Sequence, residues 1–200
     1  MNYPLIAVVG SSGTGKSYSL RNLNPQTTRI LNIERKPLPF KKSAEYPKQN
    51  LKEHSSVQTF ETDFNIALEA KDIDTIVIES FSKYAEMLLT MAKSVEKGYS
   101  IYNLYNDKVT MFLEKAKSNN NKFVVILGID EIVKFETTSG GETATRRLKV
   151  AGKQWEGMIE KEFTIVLFTF VKPDTDKTKP PKYQFVTNNY DGTISAKSPP

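Results

Sequence analysis

Residues Gly10 to Ser17 read Gly-Ser-Ser-Gly-Thr-Gly-Lys-Ser, the spacing of a loop that cradles phosphate. The glycines let the backbone curl until successive N–H groups face one concavity, which makes an anion site. Lys16 carries a compact charge on a long stem, suited to the β and γ phosphates of a nucleoside triphosphate. The Ser17 hydroxyl suits one position on Mg2+. Gly10, Ser11, Ser12, Gly13, Thr14, Gly15, Lys16, Ser17 and Tyr18 are thus the expected cofactor-binding residues, with ATP and Mg2+ as ligands. Elsewhere the chain excludes much. It has no cysteine, and its one histidine, His54, lies in a polar stretch, so thiol, cysteine–zinc and histidine-triad chemistry have no residues to use.

A phosphate loop works only between a buried strand and a helix, and the pattern supplies both. The apolar run Leu5-Ile6-Ala7-Val8-Val9 precedes the loop, and a helix is expected after it. Further strands are expected at Arg29 to Glu34, around Val57 to Phe60, Asp74 to Glu79, Phe123 to Ile129 and Thr164 to Phe170. Helical spacing marks Asp63 to Ala70, Ser82 to Ser94, Ile101 to Ser118 and Gln154 to Lys161. Lys36 to Ser56 is polar and rich in Pro and Lys, and reads as a long excursion or mobile loop. Unbroken apolar strands alternating with helices predict a mostly parallel sheet with helices on both faces.

In such a sheet, ligands gather at the carboxyl ends of the strands. Glu34, Glu79-Ser80 and Asp130-Glu131 stand at those ends, on the edge that carries the loop. Glu79 occupies the position of the carboxylate that holds the Mg2+ shell through water, where Asp is usual. Glu34 is the expected general base or water-positioning group. The reverse assignment, with Glu79 as base, stays open. Asp130 is expected to sense the γ-phosphate through water, so Lys16, Glu34, Glu79 and Asp130 form the expected catalytic set. From Val133 to Lys153, two alternating arms around Gly140-Gly141 read as a β-hairpin insertion. Its Arg146, Arg147, Lys149 and Lys153 are candidates for nucleic-acid phosphates or for an arginine acting in trans on a neighbour's nucleotide. Phe135 and Trp155 would either stack on bases or pack the hairpin base. Lys172 to Lys182, with four lysines and three prolines, is most simply a flexible loop.

The loop Gly10 to Ser17, the strand ending in Glu34, Ile76-Val77-Ile78-Glu79-Ser80 and the tail with Ser195-Ala196-Lys197-Ser198-Pro199 together resemble phage RecA-like P-loop ATPases. More narrowly, they resemble the small phage nucleotide-binding proteins classed with single-strand annealing proteins. The resemblance implies a single RecA-like domain over 1–200 that hydrolyses ATP and handles single-stranded DNA in recombination or replication. It also implies a homo-oligomer (ring or filament), phage replication or recombination proteins as partners, and the cytoplasm of an infected bacterial host. It adds Lys197 as a second in-trans candidate. Glu79 for Asp, and Gly128-Ile129-Asp130 where Gln or His is common, depart from the pattern. A small-molecule phosphotransferase and a nucleotide-gated interaction protein with slow hydrolysis are the alternatives.

The composition fits one domain. Two hundred residues with 38% hydrophobic and 26% charged side chains bury one core. No apolar run approaches the roughly 20 residues a spanning helix needs, and no membrane association is expected. Met1 to Pro4 run straight into the first strand, which predicts no signal peptide. The net charge of +5 favours a polyanionic partner only where it is localised.

Overall fold

The computed structural model describes residues 3–119, 121–136, 142–152, 154–155, 158–176, 178–189 and 191–199. Gly140-Gly141, Lys153 and the side chain of Phe135 lie outside that description.

The central strands are apolar runs covered on both faces. β1 (Leu5–Val9), β2 (Thr28–Asn32) and β4 (Thr75–Glu79) are buried almost throughout. With β3 (Leu51–Glu53), β5 (Phe123–Gly128), β8 (Ile165–Lys172) and β9 (Lys182–Val186) they form a seven-stranded sheet. Its order is β3-β2-β4-β5-β1-β8-β9. All neighbours are parallel except β9, which pairs antiparallel with β8. β6 (Asp130–Glu136) and β7 (Glu142–Leu148) form a separate antiparallel hairpin that starts at Asp130, three residues earlier than expected. The sheet thus has the expected α/β class, mostly parallel with a hairpin inserted after β5.

The two faces are covered differently. α1 (Val57–Glu69), α2 (Phe81–Val95) and α3 (Ser100–Lys117) contribute to one core, built on Ala7, Leu31, Ile76, Ile78 and Ile126. Five rings interlock there. Phe60 and Tyr84 lie 4.4 Å apart, Phe64 and Phe112 5.0 Å, and Phe81 and Phe112 5.7 Å. On the other core, around Val8, Ile30, Val77 and Leu127, the cover comes from 3-10 turns and the 36–50 stretch instead of α-helices. Leu20, Leu38, Phe40 and Tyr46 are buried in it. The excursion expected at Lys36 to Ser56 therefore packs as a lid over the sheet, and it also contains β3.

Two boundaries move for local reasons. The strand expected at Val57 to Phe60 is the first turn of α1. The Ser56 side chain accepts from the Thr59 N–H at 3.2 Å, and Phe60, Phe64 and Ala67 recur at helical spacing toward the core. After the phosphate loop stands only a six-residue 3-10 helix, Ser17–Asn22. The Ser19 hydroxyl donates back to the Lys16 carbonyl at 2.6 Å and competes with helical hydrogen bonding there, and Asn24-Pro25 follow within three residues and limit the length. Likewise, the helix expected at Gln154 to Lys161 is represented among the described residues by the 3-10 turn Ile159–Glu162. Trp155 is buried in the main core.

Candidate functional site

The phosphate loop leaves the carboxyl end of β1 and is anchored to both neighbouring strands. The Gly10 N–H donates to the Gly128 carbonyl at 3.1 Å, and the Thr14 and Thr169 hydroxyls share a hydrogen bond at 2.6 Å. A Cβ at Gly10 would stand 1.8 Å from the Thr169 hydroxyl oxygen, so only glycine lets loop and β8 meet this closely. Gly13 and Gly15 take φ of 79° and 95°, the left-handed region that turns loop amides inward. With so short a helix behind it, the loop draws little from a helix dipole; its amides and Lys16 carry the positive potential.

Lys16 folds over the loop. Its ammonium donates to the Gly10 carbonyl at 2.7 Å and the Ser11 carbonyl at 2.9 Å. Burial pulls its pKa below the ordinary lysine value, while Glu79, Asp130 and Glu34 push it back up.

Sheet register brings two of the expected carboxylates to this loop. Asn32 at the end of β2 pairs with Glu79 at the end of β4, and the Ile33 and Glu34 N–H groups both donate to the Glu79 carbonyl. The Ser17 hydroxyl donates to Glu79 Oε1 at 3.0 Å. Glu79 Oε2 is buried and has no hydrogen-bond partner among the described residues. Burial raises the Glu79 pKa, and the Ser17 hydrogen bond, Lys16 and Lys36 oppose the rise. Glu34 is held separately: Oε1 accepts from the Ser80 hydroxyl at 3.0 Å, and Oε2 pairs with the Lys36 ammonium at 3.2 Å. The same Ser80 oxygen caps α2 by accepting from the Lys83 N–H, so one hydroxyl fixes both the helix start and the Glu34 rotamer.

These groups line one open cavity of about 730 Å³. The loop forms one wall, Glu34, Glu79 and Ser80 another, and Lys36, Pro37, Leu38, Pro39 and Tyr183 complete the rim. Lys36 to Pro39 and Tyr183 carried no motif. They reach the cavity by chain reversal, from the start of the lid and from the antiparallel strand β9. The Tyr183 ring lies close above the loop, where a Cβ at Gly15 would stand 3.1 Å from it. Tyr18 lines the cavity as well; its ring is exposed, and the Arg21 guanidinium lies 4.5 Å over it.

Asp130 sits to one side. Its Oδ1 accepts from the Ser11 hydroxyl at 2.7 Å, and its Oδ2 takes Arg146 through Nε and Nη2, both at 2.8 Å. Both oxygens are thus committed to protein groups, and Asp130 ties the loop to the hairpin. Among the other basic candidates, Arg147 faces Glu160 at 3.8 Å, Lys149 is exposed, and Lys197 pairs through its backbone with Val166.

A mostly parallel sheet bearing this loop and opposed carboxylates defines a P-loop NTPase. The AAA domain family matches residues 3–198, and the chain belongs to that family. Among solved structures it is similar to one described as "a prototypical ATPase from the type III secretion system of pathogenic bacteria". The TM-score is 0.55 at 12% identity over 84% of this chain, a likeness of fold. This chain spans 52% of that one's length. No curated protein matches. Among the described residues no helix is long and apolar enough to cross a membrane.

Proposed function

We propose that this chain is a Mg2+-dependent ATPase in which Glu79 serves the metal and Glu34 serves the attacking water. The observation that carries this reading is the separate anchoring of the two carboxylates in one cavity. Ser17 takes one oxygen of Glu79, while Ser80 and Lys36 hold Glu34.

The residues fit Mg2+. Glu79 has a buried oxygen, without a partner among the described residues, beside the Ser17 hydroxyl. Among the described residues no cluster of three His, Cys, Asp or Glu could hold a metal by itself, as suits an ion that keeps most ligands as water and phosphate oxygen. The Ser17 hydroxyl and, through water, Glu79 would hold Mg2+, which would neutralise charge that develops in transfer. The loop amides bind the phosphates, and Lys16 exchanges its two carbonyl partners for β/γ oxygens. Glu34 orients the water and accepts its proton as the water oxygen bonds to the γ phosphorus and the bond to the ADP oxygen breaks. Tyr183 and the Pro37 to Pro39 wall offer flat apolar surface to the base.

The test is phosphate release by wild type, Lys16→Ala and Glu34→Gln, each also assayed for ATP binding. Lys16→Ala abolishes binding or turnover, whereas Glu34→Gln retains binding and slows hydrolysis on the order of 10²-fold or more. If Glu79→Gln slows chemistry with metal affinity intact while Glu34→Gln does neither, the two roles are reversed. The same assay with single-stranded DNA tests the polymer partner that the RecA-like resemblance implies. Stimulation supports it, slow DNA-indifferent turnover supports a nucleotide-gated switch, and γ-phosphate on a small acceptor supports a phosphotransferase.

A further inference from the structure

We propose that Lys36 is a catalytic residue of this site, an in-cis cation that leaves Glu34 to bind the γ-phosphate once a triphosphate occupies the loop. The inference rests on the ATP site described above and extends it by one residue.

Three observations converge on Lys36. Its side chain lines the cavity together with Lys16, Glu34, Glu79 and Ser80. Its ammonium lies 3.2 Å from Glu34 Oε2 while the side chain is 77% exposed, so the pair is close but the lysine is not locked in place. The turn that presents it is tightly determined. Asn32, 3% exposed, accepts from the Arg35 N–H at 2.9 Å and donates its amide to the Lys36 carbonyl at 2.9 Å. Between those bonds Arg35 takes φ of 56°, a region that non-glycine residues enter only when the surroundings impose it. Pro37 then restricts Lys36 itself to extended backbone. A buried amide and a left-handed arginine thus place residues 34 and 36 on the same rim.

The charge layout says what Lys36 is for. The loop side of the cavity is positive, with amides and Lys16. The opposite side carries Glu34 and Glu79, which repel the outer oxygens of a γ-phosphate. The transition state spreads charge over three equatorial oxygens, and Lys16 approaches them from one side only. Lys36 is a cation on the other side that lines the cavity, and its field already reaches Glu79. Before the triphosphate arrives, Lys36 neutralises Glu34. Afterwards its N–H groups donate to a non-bridging γ oxygen, and Glu34 is released to the water. Lys36 transfers no proton; the proton from water goes to Glu34, and the electrons of the broken bond stay on ADP.

The test compares wild type, Lys36→Ala and Lys36→Arg for kcat, KM and for affinity toward a non-hydrolysable ATP analogue and ADP. Lys36→Ala lowers kcat on the order of 10²-fold, and it weakens the analogue about tenfold while ADP affinity stays within about twofold. Lys36→Arg restores most of both, because a guanidinium keeps the charge and the donors. Equal losses for analogue and ADP would reduce Lys36 to a structural role, and wild-type kcat and affinities in Lys36→Ala would overturn the proposal. The underlying reading fails in a different way: wild type itself would then bind neither nucleotide, or bind without hydrolysing.

Discussion

At the scale of single residues, the site is a sharing-out of hydroxyls. Ser17, Ser80 and Ser11 each hold one carboxylate, Glu79, Glu34 and Asp130 in turn, so three acids within reach of Lys16 keep distinct surroundings. This matters more than the length of Glu79. Its extra methylene relative to Asp is taken up by a direct hydrogen bond to Ser17 while the other oxygen stays available. Tyr183 belongs at this scale as well. Its ring lies over Gly15, at the point where the loop turns, and it is half exposed into the cavity. Base–aromatic stacking is worth about 1–3 kcal/mol. Tyr183→Ala is therefore expected to weaken ATP and ADP alike by about tenfold with kcat nearly unchanged, as read by nucleotide titration. That uniform loss contrasts with the selective loss expected for Lys36→Ala. Unchanged affinity for both would move the base elsewhere along the rim.

At the scale of elements, what could be read in the chain and what could not divides along contiguity. The phosphate loop is eight consecutive residues, and Glu34 and Glu79 end apolar runs that can be only buried strands, so their convergence followed from parallel topology alone. The lid over the second face left no such trace. Leu38, Phe40 and Tyr46 are three apolar residues in a polar stretch, with neither period 2 nor period 3.6, and their burial is decided by the sheet beneath them. Lys36 and Tyr183 were missed for the same reason, since each enters from a segment with no motif. The first turn of α1 misled because Val57 and Thr59 are β-branched, although Ser56 and the Phe60–Phe64 spacing carried the true signal.

β3 and its flank also contain the histidine. His54 is 2% exposed, its Nε2 has no hydrogen-bond partner among the described residues, and its ring meets Phe60 edge-on at 5.8 Å. Asp63 stands 3.8 Å away and Lys52 pairs with that same carboxylate. Burial lowers the His54 pKa from 6.5, opposed by Asp63 and assisted by Lys52. The folded chain therefore takes up this proton at lower pH than the unfolded chain. Below the unfolded value the unfolded state binds more protons, so stability is complete above about pH 7 and falls as pH drops through about 6.5 toward the folded pKa. Urea unfolding at pH 7.5 and pH 5.5 checks this. Wild type is expected to lose more stability on acidification than His54→Gln; equal losses would assign the acid sensitivity to carboxylates instead.

At the scale of the whole molecule, the hairpin and the C-terminal segment are fastened to the nucleotide site through Arg146. Its guanidinium takes Asp130 Oδ2 with two bonds and lies 5.5 Å over the Phe168 ring, on β8. Its N–H donates to the Thr193 carbonyl, and its carbonyl accepts from the Ser195 N–H. Four parts of the chain thus meet on one residue: β7, the loop by way of Asp130 and Ser11, β8, and the C-terminal tail. The sequence showed Arg146 only as one of several basic residues on a hairpin arm, equivalent to Lys149. The fold separates them, because the Asp130 carboxylate is 7% exposed and Lys149 faces solvent. Removing one partner of a largely buried ion pair leaves the other charge uncompensated, at about 3–5 kcal/mol when burial is complete and less here, where Arg146 is partly exposed. Arg146→Ala is accordingly expected to cost about 2–3 kcal/mol in chemical denaturation and to lower nucleotide affinity, since the loop loses its tie to β7. Lys149→Ala is expected to change stability by less than about 0.5 kcal/mol and to leave nucleotide affinity as it was. A fall in affinity for polyanions in Lys149→Ala at unchanged stability would make Lys149 a surface contact; the same fall in Arg146→Ala, matched by its loss of stability, would be a consequence of unfastening the hairpin. Equal stability of the two variants would show that Arg146 does not hold these parts together.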